Sequence, residues 1–313
     1  MLTSFTLPPL IVILGPTAVG KTELSIRLAE RLNGEIISAD SRLLYRGMDI
    51  GTAKPSAVEQ ERVPHHLIDV ADPDEIWSLA QYLDKANTVA SEILSRGKLP
   101  LLVGGTGQYI HAVTKGWQIP PVEPNPLLRS ALEEWGLDVT PIGLHERLAV
   151  LDPQAAEAID PRNVRRTIRA LEVILSTGRL FSMQRRQSPS RYNLLQIGLC
   201  RPRNELYARV DSRIQLMLQQ GLIDEVNNLL KCGFSPDLPT MSAIGYHEMC
   251  MVLLEKISLD EAVILMKRRT RNFIRRQANW FKLDNPEIHW IACNQLTFNT
   301  VEQLIQKWLN ERY

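Results

Sequence analysis

Apolar residues along this chain fall into two kinds of run. Residues 10–14 are continuously apolar and end at Gly15, as in a parallel strand buried on both faces. Over residues 22–33, Leu24, Leu28 and Leu32 share one helical face, with Gly34 the expected C-cap. Residues 35–39 predict a second strand ending at Asp40, and residues 66–70 a third. A helix over 77–96 closed by Gly97 precedes another buried strand, 99–103, which runs into Gly104-Gly105-Thr106-Gly107. Strand alternating with helix is the pattern of a parallel α/β sheet.

That alternation breaks at Gly116. Residues 119–126 contain Pro120, Pro121, Pro124 and Pro126, a loop or domain junction. Residues 127–190 then read as helical. Val164, Ile168, Leu171 and Leu175 share one face there, opposite Arg162, Arg165, Arg166 and Arg169, with Asn163 or Asp160 as the cap and Pro161 in the first turn. A strand over 194–199 resumes the sheet, followed by helices over 207–218 and 223–230. A long helix over 260–281 turns Val263, Met266, Phe273, Ile274 and Trp280 inward and its arginines outward. Residues 287–291 predict a last strand. The expected organisation is an α/β core over 8–118 and 194–313, with a helical insertion at 119–193.

The length of 313 residues is enough for roughly two domains. No apolar run reaches the roughly 18 residues needed to cross a bilayer, and residues 1–10 lack a basic, cleavable leader. Cys200, Cys232, Cys250 and Cys293 form no CxxC pair, which speaks against a structural zinc site or disulfide framework and for a reducing, cytoplasmic setting. The net charge of +1 conceals two segments of +7 each, 162–191 and 267–282, in a remainder of −13. Solvated helix faces or polyanion binding explain such runs; two in an otherwise acidic chain favour the polyanion.

Gly15, Pro16, Thr17, Ala18, Val19, Gly20, Lys21 and Thr22 fit the phosphate-loop pattern GxxxxGK[ST] between a strand and a helix. Its backbone N–H groups and the helix N-terminus would hold a diphosphate or triphosphate, as in ATP-binding proteins, with Lys21 on the outer phosphate and Thr22 on Mg²⁺. The strand over 99–103 ends in Gly104-Gly105-Thr106 and brings no Walker-B aspartate. Asp40, at a strand's carboxyl end, should face the ligand crevice as a metal contact or proton acceptor, or else cap the next helix.

Several segments together resemble the tRNA dimethylallyltransferases, also called tRNA isopentenyltransferases. These are the loop from Gly15 to Thr22, Ser38-Ala39-Asp40-Ser41 with Tyr45, and Met48-Asp49-Ile50-Gly51-Thr52-Ala53-Lys54-Pro55. The likeness continues through Pro64 to Asp69, Leu102 to Gly107, Asn163 to Glu172, Ile244-Gly245-Tyr246 and Thr270-Arg271 to Trp280. The resemblance implies transfer of a dimethylallyl group from its diphosphate to N6 of the tRNA adenosine 3′ of the anticodon. It implies Asp40 as general base, Lys21 and Arg213 as neutralisers of the leaving diphosphate, Thr22 on Mg²⁺ (with Asp40 a further ligand), and Thr106 on the channel. Contacts to the tRNA anticodon stem-loop would come from Asp40, Ser41, Arg42, Leu43, Thr106 and Arg129. Further contacts would come from Asn163, Val164, Arg165, Arg166 and Thr167, and from Ser242, Ala243, Ile244, Gly245, Tyr246 and His247.

His247 stands where the family pattern has Lys or Arg, and Asn279 replaces a threonine before Trp280. No C-terminal Cys/His cluster is present, so the likeness is to the bacterial form, expected to act as a monomer. Three rivals explain less. A small-molecule kinase leaves both basic segments idle, an adenylate isopentenyltransferase has no need of an RNA-gripping insertion, and an RNA-binding module leaves the phosphate loop and Asp40 unused.

Overall fold

The computed structural model describes residues 7–119, 125–184, 188–294 and 297–311. Leu10, Ile11, Val12, Ile13 and Leu14 are each at most 1% exposed, so strand β1 (Pro9–Leu14) is covered on both faces. Helix α1 (Lys21–Arg31) leads to β2 (Gly34–Ala39), and α2 (Ala57–Arg62) to the two-residue β3 (His65–His66). Helix α3 (Leu79–Ser95) precedes β4 (Leu99–Gly104), which is followed by α4 (Gly107–Thr114). Helices α5 (Pro126–Leu151), α6 (Pro153–Glu157), α7 (Val164–Thr177) and α8 (Phe181–Gln184) follow. Strand β5 (Asn193–Cys200) returns the chain to the sheet. After it come α9 (Arg203–Gln219), α10 (Leu222–Lys231), α11 (Tyr246–Leu253), α12 (Leu259–Trp280), β6 (Ile288–Ala292) and α13 (Thr297–Asn310).

Among the described residues the sheet has six strands in the order β3-β2-β4-β1-β5-β6, all parallel. This is the expected α/β architecture with a P-loop-type core. The chain divides at Lys115 and Ser190, set against the sequence-based borders of 119 and 193. One unit is Met1–Thr114 with Ser190–Tyr313, and the other is Lys115–Pro189. The second unit has its own apolar core, including Leu132, Leu144, Leu148, Ile168 and Leu171. No helix among the described residues is long and apolar enough to cross a membrane.

Several local expectations need correction. Gly34 is not a C-cap: Asn33 makes the left-handed turn (φ 50°), and Gly34 opens β2, where a Cβ would lie 2.5 Å from Leu101 Cδ1. The third strand stops at His66 because Leu67 (φ 60°) and Asp69 (φ 55°) leave the extended region. Pro126 begins α5 rather than a loop, while Pro120, Pro121 and Pro124 lie outside the described residues, as do Arg185 and Arg186. Helix α5 breaks at Thr140 (φ 67°), since Pro141 disfavours helical backbone in the residue before it. Asn163 is the N-cap of α7, accepting from Arg166 N–H, so Pro161 falls before the helix. Leu175 is exposed and Glu172 fully buried, because Arg129, Arg169 and the N–H of Asn125 all converge on that carboxylate. In α12 Trp280 is exposed and Gln277 buried, and Arg269 and Arg271 turn to Glu248 and Asp211 rather than to solvent.

The strands' amino edge carries one strong ionic cluster. Glu35, its side chain 4% exposed, meets His66 at 2.7 Å, Arg96 at 2.6 Å and Lys98 at 2.9 Å. Burial disfavours its charge, but hydrogen bonds from Lys98, His66 and Arg96 outweigh that and hold the carboxyl at about 2, below its ordinary 4.5. Stability from this cluster is therefore complete above pH 4.5 and drains away as pH falls through 2. Relative to Glu35→Gln, the wild type should lose about 3 kcal/mol over that window, read from denaturant unfolding at stepped pH.

Candidate active site

Parallel register assembles the site. Leu14 and Ala39 both pair with Gly104, and Leu14 also pairs with Gly198. The residues that follow, Gly15, Asp40 and Gly105, therefore leave the sheet together at its carboxyl edge, where α/β sheets bind ligands.

The phosphate loop owes its path to backbone that L-residues seldom adopt: Gly15 (φ 148°), Ala18 (φ 63°) and Gly20 (φ 113°). Gly20 is the N-cap of α1 and brings no side-chain cap, so the first N–H groups of the helix stay available to an anion. Lys21 folds back and donates to Gly15 O (3.1 Å) and Pro16 O (2.9 Å). Arg209 donates to Ala18 O at 2.7 Å and Arg201 to Val19 O at 3.0 Å. The buried Gln277 accepts from Thr17 N–H at 2.9 Å and donates to Gly105 O at 3.0 Å, tying α12 to the loop and to the turn after β4. Thr22 is exposed in the first turn of α1.

Burial lowers the Lys21 ammonium to about 8, with Arg213 pushing the same way and Asp40 opposing. Arg213 on α9 is lowered by burial and by its neighbour Arg209. Two cations held in partial desolvation are a receptor for negative charge.

Asp40 and Thr106 are fixed by the turn between them and the sheet. Asp40 Oδ1 accepts from Arg42 N–H at 2.9 Å, and Thr106 Oγ1 accepts from Ser41 N–H at 3.1 Å. Thr106 N–H returns to Ala39 O at 3.1 Å. Both side chains line a cavity of about 540 Å³. That cavity also collects Thr17, Ser41, Arg42, Arg213, Ser242, Ala243 and Ile244, so fewer than half of the sequence-expected residues of this unit line it, with Thr17 alone from the phosphate loop. Lys21, Thr22, Leu43, Gly245, Tyr246 and His247 are not among its lining residues.

Burial corrects part of the tRNA-contact set. Tyr246 is fully buried with its hydroxyl on Glu225, and Gly245 is buried beside it, so this segment exposes Ser242 and His247. In the second unit Thr167 is fully buried with its hydroxyl on Asn163 O, and it offers no side-chain surface. Asn163 is exposed but spends its side chain as the α7 cap, Val164 and Arg166 are half-buried, and Arg165 is exposed. Arg129 is committed to Glu172.

Other residues at the cavity belong to the basic segment 267–282 but were not among the expected site residues. From α12 come Arg269, Thr270, Asn272, Phe273, Arg276, Gln277 and Trp280. Trp280 packs so tightly on Gly107 that a Cβ there would lie 2.2 Å from the indole Cγ. Arg209 carried a signal: it precedes Arg213 by one helical turn, which places both guanidinium groups on one face.

The chain is similar to known proteins along most of its length. A family model described as IPP transferase matches residues 43–284. A tRNA dimethylallyltransferase of Roseiflexus sp. (strain RS-1) is 53% identical over 274 residues, 88% of this chain and 90% of its own. One from Chloroflexus aggregans (strain MD-66 / DSM 9485) is 52% identical over 280 residues, 89% of this chain and 95% of its own. The crystal structure of the full-length tRNA isopentenylpyrophosphate transferase from Bacillus halodurans superposes with a TM-score of 0.72 at 42% identity, covering 97% of each chain. A eukaryotic dimethylallyltransferase acting on tRNA gives 0.79 at 26% identity, covering 98% of this chain and 80% of that one. With a model match across most of its length and relatives half identical to it, this chain belongs to the IPP transferase family.

Proposed function

We propose that the protein transfers a dimethylallyl group from dimethylallyl diphosphate to N6 of the tRNA adenosine 3′ of the anticodon. The observation that carries this reading is the shared cavity, where the phosphate loop's Thr17 and the cation Arg213 meet the carboxylate of Asp40 and the hydroxyl of Thr106.

In the proposed step, N6 attacks C1 of the donor as the C1–O bond to the diphosphate breaks, and the N6 proton passes to Asp40. Arg42 N–H occupies Asp40 Oδ1, which leaves Oδ2 to accept that proton. Loop N–H groups, Lys21 and Arg213 receive the charge that builds on the departing diphosphate. A stacked anticodon-loop base cannot enter a cavity of this kind, so the adenosine is extruded into it. Thr22 would hold a cation delivered on the diphosphate, since it is exposed in the first turn of α1, whose N-cap brings no side-chain cap, and Asp40 lies at the same sheet edge. Mg²⁺ bound there would neutralise diphosphate charge. The exposed Arg165 and half-buried Arg166 of α7 would meet stem phosphates.

The direct test incubates the protein with labelled dimethylallyl diphosphate, Mg²⁺ and unmodified tRNA and analyses the nucleosides. Label in N6-dimethylallyladenosine supports the reading, whereas tight ATP binding with no prenyl transfer overturns it in favour of a kinase. Asp40→Ala should lower turnover about a hundredfold with donor binding preserved; near-normal turnover would remove Asp40 from the mechanism.

Lys21 gives a pH signature. Because its ammonium titrates at about 8 in the free protein, raising the pH from 7 to 9 should weaken donor binding about tenfold relative to a Lys21→Met reference, measured calorimetrically. A parallel pH dependence in both proteins would detach Lys21 from the diphosphate. Replacing Arg165 and Arg166 together with alanine should raise the tRNA KM and flatten its salt dependence while donor affinity holds. Arg169 is left in place, since it holds Glu172.

A further inference from the structure

The run from Met48 to Pro55 is one of the segments that carry the family resemblance, yet it has no part in the chemistry above. Its backbone is anchored from two sides. Glu225, in the first turn of α10, accepts from the N–H groups of Asp49 (3.1 Å), Ile50 (2.8 Å) and Gly51 (3.3 Å). Three successive N–H groups converging on one point make an anion-binding concavity, and here the anion is a residue of the chain itself. The amino end of α10 favours the negative charge. The second Glu225 oxygen also accepts from Tyr246 OH at 2.5 Å. Burial and the adjacent carboxylate push the Tyr246 phenol up, so it stays a donor.

Gly51 lies directly against that ring, where a Cβ would be 2.4 Å from Tyr246 Cε2. On the other side Lys54, its side chain 4% exposed, donates to Tyr45 O at 2.9 Å and pairs with Asp49 and Asp69. Between these anchors Gly51, Thr52 and Ala53 form part of the cavity wall. A Cβ on Gly245 would lie 3.8 Å from Gly51 Cα, so this wall adjoins the segment carrying Ser242, Ala243 and Ile244.

We propose that Glu225 is a positioning residue for the acceptor: through Tyr246 and three backbone N–H groups it sets the wall of Gly51, Thr52 and Ala53 against which the extruded adenine is oriented toward Asp40. The assignment rests on the prenyl-transfer reading. Glutamine at 225 would present an NH₂ to donors that need an acceptor, displacing the wall without removing side-chain volume.

The test uses the full chain, an anticodon stem-loop RNA, dimethylallyl diphosphate and Mg²⁺. In Glu225→Gln, kcat/KM for the RNA should fall about tenfold or more, as a misplaced reactant demands. In Tyr246→Phe, which keeps the ring against Gly51 and loses one hydrogen bond, the fall should be about threefold. In both, the calorimetric donor Kd and binding stoichiometry should stay within about twofold of wild type. Unchanged RNA kinetics would overturn the proposal. So would RNA kinetics and donor stoichiometry declining in step, the mark of a merely structural loss. Should Glu225→Gln fail to fold, Tyr246→Phe decides by the same criteria. A wild-type protein that prenylates no RNA would instead overturn the reading beneath the proposal, and the proposal with it.

Discussion

Four of the five consecutive carbonyls from Gly15 to Val19 are held by cationic side chains: two by Lys21, one by Arg209 and one by Arg201. A peptide whose carbonyl is drawn one way sends its N–H the other way; Pro16 has no N–H and Thr17 donates to Gln277, so it is the N–H groups of Val19 and Gly20, opposite the carbonyls on Arg209 and Arg201, that are turned toward an anion. The cations act at a cost. Burial lowers Lys21 and Arg213, and proximity of like charges adds to the lowering in each. In the proposed function an incoming diphosphate would relieve that strain, and binding affinity and loop shape would share one electrostatic origin. Helix α9 serves both ends of the arrangement, with Arg209 on the loop and Arg213 one turn later on the cavity.

The acceptor half depends on hydrogen bonds rather than charge. Asp40 is oriented by a backbone N–H, Thr106 by another, and the wall around Gly51 by the carboxylate of Glu225. Gln277 links the halves, because its single amide reaches both the phosphate loop and the turn that leads into Thr106. A small displacement of α12 is therefore felt by both substrates' surroundings at once.

The sheet was legible wherever burial on both faces wrote a continuous apolar run, as in β1 and β4. Strand β3 was legible only in part: the expected strand over 66–70 overlaps it at His66 alone, because two histidines carry no periodicity and only their pairing with Ile36 and Ile37 makes them a strand. The phosphate loop and Asp40 could be read from spacing and strand ends alone. Gln277 could not: an amide on an apolar face looks like an interruption until its partners, Thr17 and Gly105, arrive from distant sequence. Tyr246 failed in the opposite sense, since a motif tyrosine invites a surface role and only Glu225 and Gly51 reveal it as an internal strut. The basic runs were visible as charge, but which arginines are spent on Glu172, Glu248 and Asp211 is a property of packing.

The strands that flank β1 bear on how the molecule is made. Pairing of Pro9 with Asn193 joins the start of the chain to a strand that follows the whole second unit. The entropy of closing so long a loop grows only logarithmically with length, but contacts of this sequence separation slow folding. A chain emerging from the ribosome holds β1 with one side open until β5 has been synthesised. The second unit, with a core of its own, can meanwhile fold inside that loop. Its helices thus bear on the assembly time of the first unit.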